Sequence, residues 1–450
     1  MSPVSLFPAS TQSSGLSSPP ERTWIDEIPE LDGLQITVSG WLHHVRELKA
    51  VAFLLLRDAT GTVQVVLEST EVRELVARLP HESVLTLTGK LVLSKHAPNG
   101  REIHDPVITI LSEAVPEPPL ELFRPELNAQ LPTMLDHAAI ALRHPRRAAT
   151  YRLFSAALAG YRTALTSQRF VEITTPKIIG AAPEGGANVF ALDYFGQPAF
   201  LAQSPQLYKQ IMVGVYERVF ETAPAFRAEP HATTRHLSQF YSLDAEMGFI
   251  KDHHTVMDVL TDVLRQMVTS MVETGLLEGL GIEHPMVPEQ IPEIHFRDAL
   301  EMLSEALGED LRDEPDFAPE HERWLGKWAL TTFESDWLFV TGYPMRKRPF
   351  YTHPELGDDR WSNSFDLLYR GLEVVTGGQR LHRIADYEAA LASRGIDPTP
   401  FAGYLEAFRH GMPPHGGFAL GLERLVMQLC GIANVRSIAL FPRDIQRLTP

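Results

Sequence analysis

Cysteine is almost missing from this chain: Cys430 is the one example in 450 residues. A lone thiol excludes an intrachain disulfide and any cysteine-cluster metal site. Long apolar runs are missing too. No stretch approaches the ~20 residues that a membrane-spanning helix needs. The first residues lack the basic start and apolar segment of a secretory signal, so the expected location is cytoplasmic, with no membrane partner. A basic excess is the third absence. The formal net charge is −17. Non-specific attraction to phosphate should therefore be poor, and any nucleic-acid recognition has to be selective, through a local basic face on an acidic body.

What remains is ordinary globular material, 44% hydrophobic and 22% charged, long enough for about two or three domains. Met1 to Arg22 is Ser- and Pro-rich and reads as a disordered tail, residues 1–22. From Thr23 to Pro116 short alternating strands dominate, as in Leu34 to Leu42, Phe53 to Asp58 and Thr62 to Leu67. The turn signal Asp58-Ala59-Thr60-Gly61 joins the last two. About five strands with a short helix at Glu71 to Leu79 fit a small Greek-key barrel of the OB type over residues 23–116. Such barrels stack single-stranded bases on aromatics in a basic groove. His43, Arg46, Lys49, Phe53 and Gln64 are candidate contacts, with the loop Ser94 to Arg101 and its Pro98. Core packing explains Phe53 equally well.

Residues 117–143 form a Pro-rich connection and read as a hinge. Residues 144–450 mix helices and strands without regular βαβ alternation. That points to an α+β domain on a largely antiparallel sheet flanked by helices. Tyr151 to Gln168 has helical spacing, and Phe170 to Pro176 reads as a strand. The acidic stretch from Glu309 to Glu322 reads as a solvated face without chemistry.

The densest chemistry runs from Phe226 to Met247. An apolar strand ends in Arg227 and Glu229. A polar loop carries Arg235 and His236, and a second strand returns through Phe240 and Asp244. A strand-borne Arg is a fixed fork suited to phosphate or carboxylate, and Phe240 offers a flat face to a base. On these residues alone, a surface hairpin with solvated charges reads as well. Gly421-Leu422-Glu423-Arg424 opens an amphipathic helix, which could equally be a core helix with an exposed Arg. Asp366 and Glu373 stand seven residues apart, an odd spacing for one strand face. A turn at Arg370-Gly371 can bring them together as hard oxygen ligands for Mg2+, although a plain pair of strand-end acids is as economical.

Taken together, these stretches resemble class II aminoacyl-tRNA synthetases, specifically aspartyl-tRNA synthetases of the shorter archaeal type. The resemblance runs from Gln35 to Pro450. It rests on Phe200 to Gly214, on Phe226 to Leu237, on Ser364 to His382, on Gly411 to Leu425 and on the terminal Phe441 to Pro450. It implies ATP and Mg2+ as cofactors, L-aspartate and tRNA(Asp) as substrates, a barrel that reads the anticodon, and a homodimer built on the helix and strand ending at Pro176. It implies that Arg227 contacts the α-phosphate and the substrate carboxylate, that Glu229 accepts from adenine, and that Arg235 and His236 hold the outer phosphates. Adenine would lie between Phe240 and Arg424, with Ala228, Leu237, Gly421, Leu422 and Glu423 around the nucleotide. Asp366, Glu373 and Thr376 would hold the metal.

The same resemblance puts Gln206, Leu207, Tyr208, Lys209, Thr376 and Arg380 around the aspartate, with Glu184 and Asp244 at its α-ammonium. Two cations facing one side chain favour Asp, since a neutral Asn would leave them uncompensated. Two departures stand out: Gln239 where the family usually has Glu, and Thr376 where it usually has Ser. His43 and Pro98 match a pattern associated with charging tRNA(Asn) as well as tRNA(Asp), which would require an amidotransferase partner. The alternatives are a strictly tRNA(Asp)-specific enzyme, an asparaginyl-type enzyme, an ammonia-dependent asparagine synthetase and a non-catalytic tRNA-binding paralogue.

Overall fold

Alternating burial closes a barrel in the first part of the chain. The computed structural model describes residues 22–180 and 188–449, and internal contacts divide the chain after Gln130. In the first unit β1 (Gln35–Glu47), β2 (Ala52–Arg57), β3 (Thr62–Leu67), β4 (Val84–Leu93) and β5 (Arg101–Ser112) form a closed barrel in the order β1-β2-β3-β5-β4. Leu54, Leu56, Val63 and Val65 fill its interior. Phe53, Leu55 and Gln64, at the alternate positions, are only half-buried, as a period of two requires. Asp58 builds the β2–β3 turn by accepting from the backbone N–H groups of Thr60 and Gly61 at 2.7 and 3.0 Å.

The second unit begins at Leu131, so two short helices, Leu131–Asp136 and Ala138–Ala141, lie within the stretch read from sequence as a connection. Its main sheet has eight strands. They are β6 (Val171–Glu172), β7 (Arg218–Phe226), β8 (Gln239–Gly248), β9 (Glu293–His295), β10 (Trp337–Thr341), β11 (Ser364–Tyr369), β12 (Leu372–Gln379) and β13 (His415–Gly421). The order is β9-β10-β11-β12-β13-β8-β7-β6. Pairing is antiparallel from β10 through to β7, and parallel only at the two outer pairs. The α+β reading therefore holds. The strand read over residues 170–176 pairs only at Val171–Glu172. Beyond Ile173 the Glu221 carboxylate takes over, accepting from the Thr175 N–H at 2.8 Å and its hydroxyl at 2.7 Å.

Helices α1 (Pro145–Ser167), α2 (Gln206–Tyr216), α3 (His253–Val272), α4 (Pro319–Phe333) and α5 (Leu422–Leu429) bear on the site. Leu153, Tyr161 and Leu165 of α1 and Leu260, Leu264 and Met267 of α3 share a core with Leu243, Ala245 and Met247 of β8. Alternation then turns Phe240, Ser242, Asp244 and Glu246 to the opposite side. Among the described residues no helix is long and apolar enough to cross a membrane.

Candidate active site

The residues that β8 turns away from the core meet a cavity of about 440 Å³. Its wall includes Arg227, Glu229, Arg235, His236, Leu237, Phe240, Asp366, Glu373, Thr376, Arg380, Gly421, Glu423 and Arg424. These residues come from β8, β11, β12, β13, α5, the loop between β7 and β8, and the position just after β12. Gln206 and Asp244 complete the expected set at one end. Ala228, Leu207, Tyr208, Lys209 and Leu422 are not on this wall. Leu422 is in the core, and Leu207 packs in a separate apolar cluster. Glu184 lies outside the described residues.

Arg227 follows β7, and its N–H donates to the Ser238 carbonyl at 3.0 Å. Its guanidinium stands 5.4 Å over the Phe240 ring, so Phe240 already carries one cation on its face. Arg235 pairs with Glu322 of α4 at 2.5 Å. That contact corrects the reading of residues 309–322 as wholly solvated, since Glu322 is buried. His236 is hydrogen-bonded to the Thr233 hydroxyl at 2.7 Å. Burial, then Arg424, lowers its pKa from 6.5, which favours the neutral imidazole.

Asp366 and Glu373 meet because of a β-bulge. Leu367 pairs with Val375, but Leu368 pairs with Glu373, which leaves Val374 as an extra residue. One extra residue changes the alternation by one step and puts Glu373 on the face of Thr376 and Asp366. The tight turn at Arg370 and Gly371, with φ of 48° and 73°, starts the returning strand. The Thr376 hydroxyl donates to Glu373 at 3.0 Å. Burial raises Asp366 to about 6 even though Arg348 donates to it at 3.1 Å. Burial opposes ionisation of Glu373 as well, but Arg424, the Thr376 hydroxyl, Arg348 and Arg227 together outweigh it and hold that carboxyl below its ordinary value. Two carboxylates and a hydroxyl are hard oxygen donors of the kind Mg2+ takes. No group of three or more acidic, His or Cys ligands converges among the described residues. A Mg2+ held here would need phosphate oxygens and water to fill its shell.

At the other end, Lys209 is fully buried behind the wall. Its Nζ donates to Asp244 at 2.9 Å and to the Phe418 carbonyl at 3.1 Å, and lies 3.3 Å from Glu246. Arg380 donates to Glu246 at 2.9 Å and to the Gly417 carbonyl at 3.1 Å. A Cβ at Gly417 would lie 2.2 Å from the Glu246 carboxylate, so only glycine leaves room for this arrangement. Two expectations need correction. Asp244 is matched to Lys209 and to the Ser242 hydroxyl, not left open for an ammonium. Both cations already have carboxylate partners, so a neutral substrate side chain would not leave them uncompensated.

The wall also holds polar residues that had not been singled out, among them Arg348, Gln203 and Ser242. The buried Gln206 Nε2 and Gln203 Oε1 have no hydrogen-bond partner among the described residues. One is a donor and the other an acceptor, so an amino acid's carboxylate and ammonium would satisfy both. Gln206→Ala should raise the requirement for the amino acid with little change in that for ATP, which the two saturation curves would report.

Glu423 accepts from the Tyr241 N–H at 2.9 and 3.0 Å. Burial nevertheless pushes its carboxyl up to about 7. A raised folded pKa stabilises the protein below the unfolded value of 4.5 and loses that contribution as pH rises through about 7. Glu423→Gln stays neutral throughout. It should gain on the parent by on the order of 2 kcal/mol between pH 5 and 8, read from the difference in thermal midpoints across that range.

In the first unit, Arg46 and Phe53 are register partners, with the guanidinium 5.0 Å over the ring. Phe53 is outside the barrel core, which removes the core reading for it. Gln64 donates to Glu102 at 2.7 Å. Pro98 is exposed and opens a 3-10 turn, Pro98–Gly100. His43 differs from expectation. Leu42 pairs with Leu56 and His44 with Leu55, so His43 is the extra residue of a bulge. It is buried 3.4 Å from the Arg57 guanidinium. His44 takes the outward register and stacks on Phe123 at 4.3 Å.

Residues 130–445 match the family model described as tRNA synthetases class II (D, K and N), and residues 36–111 match that of an OB-fold nucleic acid binding domain. The chain belongs to the class II tRNA synthetases of this group. A Thermus thermophilus protein named aspartate–tRNA(Asp/Asn) ligase is 44% identical over 95% of this chain and 100% of its own length. A Deinococcus radiodurans protein of the same name is 43% identical over 97% of this chain and 100% of its own. Among solved structures, asparaginyl-tRNA synthetase from Pyrococcus horikoshii with asparaginyl-adenylate superposes with a TM-score of 0.89 at 29% identity. It covers 96% of this chain and 100% of that one.

Proposed function

We propose that this protein is an aspartate–tRNA ligase that forms aspartyl-adenylate from L-aspartate and ATP and transfers the aspartyl group to the 3′ end of tRNA. In the first step the substrate carboxylate attacks the α-phosphate and pyrophosphate leaves. In the second a ribose hydroxyl attacks the activated carbonyl, the acyl–phosphate bond breaks and AMP leaves. No covalent nucleophile is needed from the protein. The task is to bring two anions together and to stabilise charge on phosphorus. Arg227 grips both reacting groups, Arg235 and His236 face the outer phosphates, and Phe240 and Arg424 enclose the base. Arg380, backed by Glu246, takes the side-chain carboxylate, and Gln206 with Gln203 orients the α-carboxylate and ammonium. Mg2+, held by Asp366, Glu373 and Thr376, would neutralise phosphate charge. The observation that carries the reading is the convergence of Arg227, Asp366, Glu373, Arg380 and Arg424 on one cavity. Aspartate-dependent ATP–pyrophosphate exchange without tRNA tests it, and a protein that exchanges only with asparagine would overturn it.

Both tRNA(Asp) and tRNA(Asn) are proposed as substrates. Full-length similarity to ligases named for both supports this, as does exposed Pro98 at the barrel loop. The enzyme would act as a cytoplasmic homodimer and supply Asp-tRNA(Asn) to an amidotransferase. Purified enzyme is expected to aspartylate an unmodified tRNA(Asn) transcript. No product at micromolar enzyme would retire the second substrate and leave a strict tRNA(Asp) ligase.

A further inference from the structure

We propose that Glu322 is a positioning residue for ATP's outer phosphates, acting through Arg235. This deepens the ATP-binding reading of the cavity and rests on it. Glu322 lies in the first turn of α4, and its side chain is only 10% exposed. One of its oxygens accepts from Arg235 Nη2 at 2.5 Å and from the Glu373 N–H at 3.4 Å. A single buried carboxylate thus joins the loop arginine to the backbone of a metal-site acid. Burying it is tolerable only because it is paired.

Arg235 sits on the irregular segment 227–238 between β7 and β8, where a long side chain loses little by wandering. Glu322 holds one arm of the guanidinium fork. The Arg235 Nε is also buried and has no partner among the described residues. An arginine presents five donors, so the pairing leaves a donor edge at the cavity wall for a second anion. An unpaired buried donor is costly by itself, and a phosphate oxygen would relieve it.

The test is a double-mutant cycle in ATP–pyrophosphate exchange at saturating aspartate, with Glu322→Ala, Arg235→Ala and both together. Glu322→Ala should raise the KM for ATP by ~10-fold and leave the KM for aspartate within twofold. Glu322→Gln, which keeps an acceptor oxygen, should fall between wild type and Glu322→Ala. The double variant should be no worse than Arg235→Ala, because the two residues act as one unit. Independent, multiplicative losses would overturn the proposal. So would a lower KM for ATP in Glu322→Ala, which would make Glu322 a competitor of the phosphate. Should Glu322→Ala not fold, the cycle is run with Glu322→Gln. Wild-type protein without aspartate-dependent exchange would sink the functional reading instead. The same cycle, read by calorimetric titration with ATP, would then still decide the Glu322–Arg235 coupling.

Discussion

Arg227→Ala is expected to lose amino-acid-dependent ATP–pyrophosphate exchange by at least ~10²–10³-fold, whichever amino acid is offered. As the carboxylate approaches the α-phosphate, negative charge builds on the phosphoryl oxygens between two groups that repel each other. In the proposed reaction Arg227 would answer both. Its backbone is fixed by Ser238, and its guanidinium is held over Phe240. The planar fork is therefore set before substrate arrives and needs little reorganisation at the moment of reaction. Arg227→Lys should recover little, because an ammonium offers a point charge where two oxygens on different molecules need a fork. Arg227 is only half-buried, so the thermal midpoint of the ligand-free variant should stay near that of wild type. Exchange surviving within tenfold of wild type, in a variant that melts normally, would remove Arg227 from the reacting centre.

The parts of this site legible in the sequence are those where chain geometry is local. Arg227, Phe240 and Asp244 belong to one hairpin, Arg227 just past the end of β7 and the other two on β8, where a period of two decides which way they face. Glu246 was equally legible, two residues beyond Asp244 on the same face, but had not been singled out. Bulges hid other features. Val374 is what lets Glu373 share a face with Asp366, and the bulge in β1 sends His43 inward while His44 takes the outer register. An extra residue leaves no mark in composition or periodicity. Arg348 and Gln203 come from loops that tertiary packing brings to the cavity, and Glu322 from a helix that packing brings against Arg235 behind it. An acidic stretch reads as solvated until a half-buried arginine is found opposite it.

The buried charge network predicts the largest stability effect. Glu246 is fully buried between Arg380 at 2.9 Å and Lys209 at 3.3 Å. Burial alone would raise its carboxyl, but Arg380, then Lys209, outweigh burial and leave it below the ordinary 4.5. Lys209, Arg380, Asp244 and Glu246 therefore form a neutral set in the ligand-free protein. Glu246→Ala leaves one buried cation uncompensated and should cost about 3–5 kcal/mol of stability at pH 7. A depressed folded pKa places that contribution above the unfolded value. The gap between variant and parent should therefore close as pH falls below 4.5 through the lower folded value. The same geometry ties stability to substrate choice. In Glu246→Ala an aspartate side chain can supply the missing negative charge beside Arg380, whereas asparagine cannot. Aspartate should raise the variant's melting midpoint by more than it raises the parent's, and asparagine should not. A variant that unfolds within about 0.5 kcal/mol of the parent, a difference typical of ordinary surface substitutions, would mean that the two cations find other partners. A variant stabilised equally by both amino acids would mean that charge at Arg380 does not select the substrate.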